Sequence, residues 1–341
     1  MPTPELTRDF LYALPKCELH LHLEGTLEPE LKLELAVRNG VDIGQSTVDE
    51  ITATYQFDSL ASFLGVYYPA MNVLVAEQDF YDLAMAYFTR AAANGVRHVE
   101  AFFDPQAHTS RGVAIDDVIL GYSRAARDAA GLGVSAALIL CFLRDFSAES
   151  ALATLTSALP FAEHLVGVGL DSDERDNPPA KFAEVFALAR EAGLKLTMHC
   201  DIDQVGSIEN IRQVLEDIGV DRIDHGTNIV ENPELVALAI ERGVGFTTCP
   251  VSNSFVSADM KADEIVSLLA QGAKVMLNSD DPAYFGAYVA DNYVALVEKA
   301  GLSPDDVVRL AKNSFEASWL SADEKLRYLA EVDAFVAARS V

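Results

Sequence analysis

Two histidines separated by one leucine lie near the start of the chain, in the run Cys17-Glu18-Leu19-His20-Leu21-His22-Leu23. Side chains at positions i and i+2 of a β-strand point to the same face, so a strand here would aim both imidazoles at one point. Neutral imidazole nitrogens are common ligands of zinc. The run is therefore predicted to supply half of a metal site.

Further metal-type ligands follow three other apolar runs: Met198-His199-Cys200, Asp224-His225-Gly226 and Asn278-Ser279-Asp280-Asp281-Pro282. Three histidines and one aspartate can hold a single Zn²⁺ and leave one position for a reactive water. His225 then remains to orient or deprotonate that water. The pattern predicts a metallohydrolase with one zinc ion per chain, and its predicted ligands are His20, His22, His199 and Asp280.

Eight short apolar runs, most of them preceded by an amphipathic run that ends near a glycine, supply the elements that position these residues. Glycine ends helices because it tolerates the left-handed conformation. Eight strands alternating with helices predict a distorted (β/α)8 barrel of the TIM type, although a doubly wound sheet can also hold eight strands. In such a barrel the active site forms at the carboxyl ends of the strands. The predicted strands are Cys17–Leu23, Arg97–Asp104, Ser135–Leu143, Val166–Ser172, Lys195–Asp201, Arg222–Gly226, Gly245–Pro250 and Lys274–Asp280.

The 341 residues are predicted to form one α/β domain, spanning residues 1–341. A barrel of this type needs about 250 residues. Helical patterns account for the excess, as an insertion after the first strand (about 26–95) and as C-terminal helices (about 284–341). No Pro/Ser-rich linker or block of charge divides the sequence.

The charge balance excludes one large class of partners. Lysine and arginine number 25 against 52 acidic residues, which gives a net charge of -27, whereas nucleic-acid binding needs concentrated positive charge. No run approaches the roughly 18 apolar residues of a membrane span, and the N-terminus lacks the features of a signal peptide. The expected partner is a small molecule, with no nucleic acid and no membrane, and the oligomeric state stays open.

The four cysteines indicate the compartment. Each lies in an apolar run, and no two form a Cys-x-x-Cys pair, which predicts buried free thiols in a cytoplasmic protein. The missing pair also excludes the zinc deaminases that use a Pro-Cys-x-x-Cys motif. The cysteines are Cys17, Cys141, Cys200 and Cys249.

The histidine and aspartate set as a whole resembles the adenosine/adenine deaminase branch of the amidohydrolase superfamily, from Leu14 to about Leu320. The resemblance implies a metal-dependent barrel that deaminates a 6-aminopurine by hydrolysis. It assigns zinc to the same four ligands and gives His225 the role of assisting the attacking water. The matching positions are His20-x-His22, His199, His225 and Asp280-Asp281.

The resemblance also implies contacts to the substrate. Asp281 would hold N7 of the purine, and Ser172 falls where the family approaches the pyrimidine edge. Glu24, just after the metal pair, either lines the pocket or is an acid in the turn before Pro29. His108 is a further candidate, because an Asp-Pro-Gln-x-His loop at the barrel mouth can shape the pocket.

Three finer motifs are similar to segments typical of adenine deaminases, which act on the free base. Adenine is therefore the expected substrate, with hypoxanthine and ammonia as products. The alternatives are a cytokinin-like N6-substituted adenine, adenosine, and a metal-containing purine-binding protein without turnover. The motifs are Phe102–Gly112, Gly169-Leu170-Asp171-Ser172 with Asn177-Pro178-Pro179, and Cys249–Asn253.

The fifth strand departs from the family. The family motif reads His-Ala-Gly-Glu, and its glutamate protonates the ring nitrogen beside the attacked carbon. Here the segment is His199-Cys200-Asp201-Ile202-Asp203, with Ile202 at the glutamate's position. Asp201 or Asp203 is predicted to supply the proton. The alternative is that Asp201 supports the metal ligands and Asp203 caps a helix.

A hydrolase with two metal ions is the rival enzyme class. Such sites usually bridge two metals with a modified lysine at the end of the fourth strand. The corresponding segment, residues 169–174, reads Gly-Leu-Asp-Ser-Asp-Glu and contains no lysine. The sequence therefore favours one metal ion.

Overall fold

The computed structural model describes residues 4–200, 205–257 and 259–339. Within these ranges eight parallel strands are hydrogen-bonded in chain order, from β1 to β8. Strand β8 returns to β1 through a bridge between Leu21 and Asp280, and the Asp280 backbone N–H donates to the His20 carbonyl at 3.1 Å. The predicted distorted (β/α)8 barrel is confirmed. The strands are β1 (Lys16–Glu18), β2 (Val96–Phe103), β3 (Ser135–Leu143), β4 (Leu165–Asp171), β5 (Lys195–Cys200), β6 (Arg222–His225), β7 (Gly245–Thr248) and β8 (Lys274–Leu277).

Helices surround the sheet and fill the two predicted additions. The segment between β1 and β2 contains α2 to α5, and the chain after β8 contains α14 to α17. Among the described residues, no helix combines the length and the apolar character needed to cross a bilayer. The α-helices are α1 (Arg8–Ala13), α2 (Pro29–Asn39), α3 (Val48–Thr52), α4 (Leu60–Ala70), α5 (Glu77–Ala93), α6 (Pro105–Thr109), α7 (Ile115–Asp128), α8 (Ala148–Ala158), α9 (Ala183–Glu191), α10 (Ser207–Arg212), α11 (Pro233–Arg242), α12 (Pro250–Val256), α13 (Ala262–Gln271), α14 (Pro282–Phe285), α15 (Val289–Ala300), α16 (Pro304–Ala317) and α17 (Ala322–Ala337).

The first and last strands are shorter than predicted. The prediction of strands over Cys17–Leu23 and Lys274–Asp280 was wrong at their carboxyl ends, because β1 ends at Glu18 and β8 at Leu277. The physical reason is a side chain that enters the ladder: the Leu19 backbone N–H donates to Asn278 Oδ1 at 2.8 Å instead of to a backbone carbonyl. The residues that follow carry the candidate ligands.

The barrel's amino-terminal end is held by a buried ion pair rather than by a ligand site. Arg222 is fully buried, pairs with Glu100, and lies 3.8 Å over the ring of Trp319. Glu100 also accepts the backbone N–H of Trp319 at 2.5 Å. Breaking a buried pair of this kind leaves one uncompensated charge, which costs about 3–5 kcal/mol.

Candidate active site

The polar residues that follow the strands are turned inward by an unusual backbone conformation. Ser172 (φ 71°), His225 (φ 55°) and Asp280 (φ 64°) are all left-handed, and each ends or follows a strand. A non-glycine residue pays about 1–3 kcal/mol for this conformation, which persists where the surrounding structure enforces it and is concentrated at functional sites. The strain therefore marks the carboxyl ends of β4, β6 and β8 as the site.

The structure brings together the four predicted metal ligands. His20 Nε2 lies 3.1 Å from Asp280 Oδ1. His22 Nε2 lies 3.4 Å from the same oxygen and 3.1 Å from His199 Nε2. With metal–nitrogen bonds of about 2.0–2.1 Å, tetrahedral ligands lie about 3.3 Å apart. These three distances and the donor chemistry fit a zinc ion, but the set of four whose ligand atoms all lie within 4.8 Å of one another contains His225 in place of His22.

Contacts at Nδ1 orient two of these rings. His20 Nδ1 lies 2.9 Å from Thr247 Oγ1 and 3.2 Å from the Thr247 carbonyl. His199 Nδ1 donates to the Leu170 carbonyl at 3.1 Å. Because Nδ1 carries the proton in each ring, the lone pair on Nε2 faces the cluster, as a metal ligand requires.

The third ring is held by a carboxylate. His22 Nδ1 lies 3.5 Å from Asp171 Oδ2, at the end of β4. Burial lowers the pKa of His22 to about 3, so its imidazole is neutral near pH 7. A neutral imidazole beside a carboxylate is a common arrangement for a histidine that binds metal.

Asp224 was quoted in the sequence motif without a role, and the structure gives it one. Its two oxygens accept hydrogen bonds from the hydroxyls of Thr247 and Thr197, each at 2.7 Å. The carboxylate lies 3.9 Å from His20 Nδ1 and 3.6 Å from His199 Nδ1. A buried negative charge beneath the two rings raises their basicity and favours a cation above them. Its only sequence signal is its place directly before His225.

His225 lies on the other side of the Asp280 carboxylate. His225 Nε2 is 3.7 Å from Asp280 Oδ2, and Ser252 Oγ donates to that oxygen at 2.6 Å. Burial, helped by the nearby His20, lowers the pKa of His225 to about 4. His225 is thus a neutral imidazole that can accept a proton beside the cluster. It also lies within 4.8 Å of ligand atoms of His20, His199 and Asp280, so it is a second candidate for the fourth ligand.

The carboxyl group of Asp281 is packed tightly against the backbone of Gly25. Among the described residues its Oδ1 is buried without a hydrogen-bond partner. Burial and the adjacent Asp280 raise its pKa well above the ordinary value. A Cβ atom at Gly25 would lie 2.1 Å from Asp281 Oδ1, so this close approach requires glycine.

A small cavity of about 60 Å³ lies above the cluster. This volume is several times the about 10–15 Å³ that a cavity needs to hold one water molecule. Side chains of α4, from Leu60 to Tyr68, form an apolar roof. Most predicted site residues lie in its wall, whereas His20 lies below it. The wall contains His22, Ser172, His199, His225, Asp280 and Asp281, together with two carboxylates that were not predicted, Asp104 and Asp171.

Glu24 lies outside that wall, fully buried at the start of a short 3₁₀ turn, Glu24–Thr26. Its Oε1 accepts hydrogen bonds from His108 Nε2 at 2.8 Å, Tyr122 OH at 3.1 Å and the Asp104 backbone N–H at 3.3 Å. The structure therefore places Glu24 and His108 directly behind Asp104. Asp201 and Asp203, predicted as proton donors, lie outside the described residues.

Comparison with known proteins identifies the family. The sequence model of the adenosine deaminase family matches residues 15–335. The chain belongs to the adenosine deaminase family. Within this family, an adenine deaminase from Sphingopyxis alaskensis is 50% identical over 329 residues, which cover 96% of this chain and 96% of that protein.

Solved structures agree. The crystal structure of an adenine deaminase from Arthrobacter aurescens superposes with a TM-score of 0.92 at 43% identity and covers 95% of this chain and 100% of that one. An amidohydrolase from Burkholderia ambifaria with bound Zn has a TM-score of 0.87 at 28% identity, over 99% of this chain and 98% of that one. Over nearly its whole length the chain therefore matches amidohydrolase-type barrels and, among them, adenine deaminases.

Proposed function

We propose that this member of the adenosine deaminase family is an aminohydrolase that converts adenine to hypoxanthine and ammonia. The observation that carries the proposal is the cluster of buried imidazoles around the Asp280 carboxylate, beneath a cavity whose wall includes His22, His199 and Asp281. The relative from Sphingopyxis alaskensis, which is 50% identical, is an adenine deaminase and supports the same reaction.

The proposed cofactor is one Zn²⁺ per chain, held by His20, His22, His199 and Asp280. Nitrogen and oxygen donors at this spacing fit zinc. When bound, zinc supplies a hydroxide nucleophile at neutral pH by lowering the pKa of water.

The chain's own residues then do the positioning and the proton transfer. Neutral His225, beside Asp280 Oδ2, takes a proton from the attacking water as oxygen adds to C6. An acid from the segment after His199 protonates N1, which relieves the negative charge that addition places on the ring. The amino nitrogen then takes the proton held on His225, the bond from C6 to that nitrogen breaks and ammonia leaves. As the C6 carbonyl forms, the hydroxyl proton returns to the acid that protonated N1.

Two wall residues hold the base during this sequence. Asp281 is proposed to bind N7, and Ser172, at the end of β4, approaches the pyrimidine edge. Both side chains lie in the cavity wall. The apolar roof on α4 excludes water from the reaction, which strengthens each of these contacts. The partner is thus a small purine, and the proposed compartment is the cytoplasm, where the four buried free cysteines would stay reduced.

We expect purified zinc-loaded protein to release ammonia from adenine and to form hypoxanthine, identified by mass. Because a relative that is 50% identical is an adenine deaminase, we expect adenosine to be used at least about 10³-fold less efficiently than adenine, measured as kcat/KM. N6-alkyladenines, offered in parallel, would release an alkylamine instead of ammonia. If no purine is converted while zinc is bound, the proposed function is wrong and a purine-binding protein is the better description.

The proton donor can be located by two matched substitutions. Asp201→Asn and Asp203→Asn each remove one acid from the segment that replaces the family's glutamate. The true donor's variant should lose about 10²–10⁴-fold in kcat, since this is the usual contribution of a general acid. The other variant serves as its control. If neither variant slows turnover, the proton reaches N1 from another group.

A further inference from the structure

The order of the strands fixes which wall faces each edge of a bound purine. Going round the barrel, β8 is followed by β1, β2, β3 and then β4. In the proposed complex N7 faces Asp281, after β8, and the pyrimidine edge faces Ser172, after β4. In a purine ring N9 lies between N7 and N3 on the edge away from the amino group. With the ring lying across the mouth of the barrel, N9 therefore faces the ends of β1 to β3.

The wall at that place is a carboxyl group. Asp104 directly follows β2 and lies in the cavity wall, and only 1% of it is exposed. Among the residues that the structure describes, its Oδ1 accepts no hydrogen bond from a fixed N–H or O–H donor, and burial together with the adjacent Asp171 carboxyl group raises the pKa of Asp104 well above its ordinary value. A buried acceptor without a partner costs about 1–3 kcal/mol. A ligand that brings an N–H to this oxygen recovers that cost.

A chain of hydrogen bonds holds Asp104 in place from behind. Its backbone N–H donates to Glu24 Oε1 at 3.3 Å, and His108 Nε2 lies 2.8 Å from the same oxygen. Arg111 Nη2 donates to His108 Nδ1 at 2.9 Å, so the proton of the imidazole is on Nε2 and is donated to Glu24. All three groups lie outside the cavity wall. They position Asp104 and touch no substrate.

We propose that Asp104 accepts a hydrogen bond from N9–H of a free purine base and thereby selects the base over its nucleoside. This inference rests on the proposed function. A free base carries a proton on N9, whereas a nucleoside carries the ribose carbon there. The nucleoside would leave Asp104 Oδ1 without a donor and would place the ribose carbon against this carboxyl group. Sites built to bind a substrate N–H reject an analogue that lacks it by about 10⁴–10⁵-fold.

The test compares adenine with 9-methyladenine, which keeps the amino group and differs at N9. The native protein should prefer adenine by at least about 10⁴-fold in kcat/KM. Asp104→Ala should lower kcat/KM for adenine by about 10²-fold and leave 9-methyladenine within about threefold, so the preference narrows about 10²-fold. The ratio of the dissociation constants of 9-methylhypoxanthine and hypoxanthine, measured by calorimetry, should fall in the same way in Asp104→Ala.

Two further variants make the test specific. Asp104→Asn keeps an acceptor oxygen and should retain more of the preference for adenine than Asp104→Ala, and it serves if the alanine variant does not fold. Asp145→Asn makes the same substitution at an exposed position beyond β3 and should leave kcat/KM unchanged for both adenine and 9-methyladenine. Equal losses for adenine and 9-methyladenine in both Asp104 variants would overturn the inference while the proposed function stands. Failure of the native protein to deaminate adenine would instead refute the proposed function.

Discussion

Replacing His20 with alanine should remove the metal ion and the activity together. His20 is fully buried, and its Nε2 lies 3.1 Å from the Asp280 oxygen that it shares with His22. Without this imidazole a tetrahedral site keeps only three ligands. Without the ion the pKa of water is not lowered, so hydroxide at neutral pH is scarce. We expect a fall in kcat of at least about 10⁴-fold, with metal content measured by mass spectrometry.

His98→Ala is the matched control for this substitution. His98 is also a buried histidine on a barrel strand, but its ring contacts Ser135 and Glu100 at the opposite end of the barrel. Its loss should lower the melting temperature and leave one metal ion per folded chain. Full activity in His20→Ala, or normal metal content, would contradict the proposed ligand set.

The sequence predicted the site well where the chemistry is local. A histidine or aspartate just after an apolar run can be recognised in the sequence alone. In a barrel of this type such a residue lies at the carboxyl end of a strand, where the active site forms. His20, His22, His199 and Asp280 were predicted to lie together on this basis, and their donor atoms do lie close together. The eight strands were found for the same reason, since strands buried on both faces read as apolar runs.

The sequence could not show what depends on contacts between distant elements. Asn278 shortens β1 by accepting from Leu19, which lies 259 residues away. Glu24 is turned behind Asp104 by donors from α6 and α7, His108 and Tyr122. No spacing rule relates residues on three separate elements. A buried carboxylate looks like any other acid until its partners are known, which is why Asp104 was quoted only as part of a motif.

Replacing His225 with alanine should separate turnover from metal binding. The His225 ring lies beside Asp280 Oδ2, whereas His20 and His22 both lie near Oδ1, so the predicted ligands can meet at Oδ1 without His225. Its Nδ1 is buried without a hydrogen-bond partner among the described residues. We expect kcat to fall by about 10²–10⁴-fold, the usual contribution of a general base, while one metal ion per chain remains.

The competing arrangement makes the opposite prediction, because His225 can replace His22 as the fourth ligand. In that case His225→Ala would lose the metal, and His22→Ala would keep it and lose turnover. Measuring metal content and kcat for both variants therefore decides the roles of the two rings. The distances favour His22 as the ligand, since its Nε2 lies 3.1 Å from His199 Nε2 and 3.4 Å from Asp280 Oδ1, near the tetrahedral spacing of about 3.3 Å. His225 Nε2, at 3.7 Å from the other oxygen, is better placed to take a proton from the attacking water.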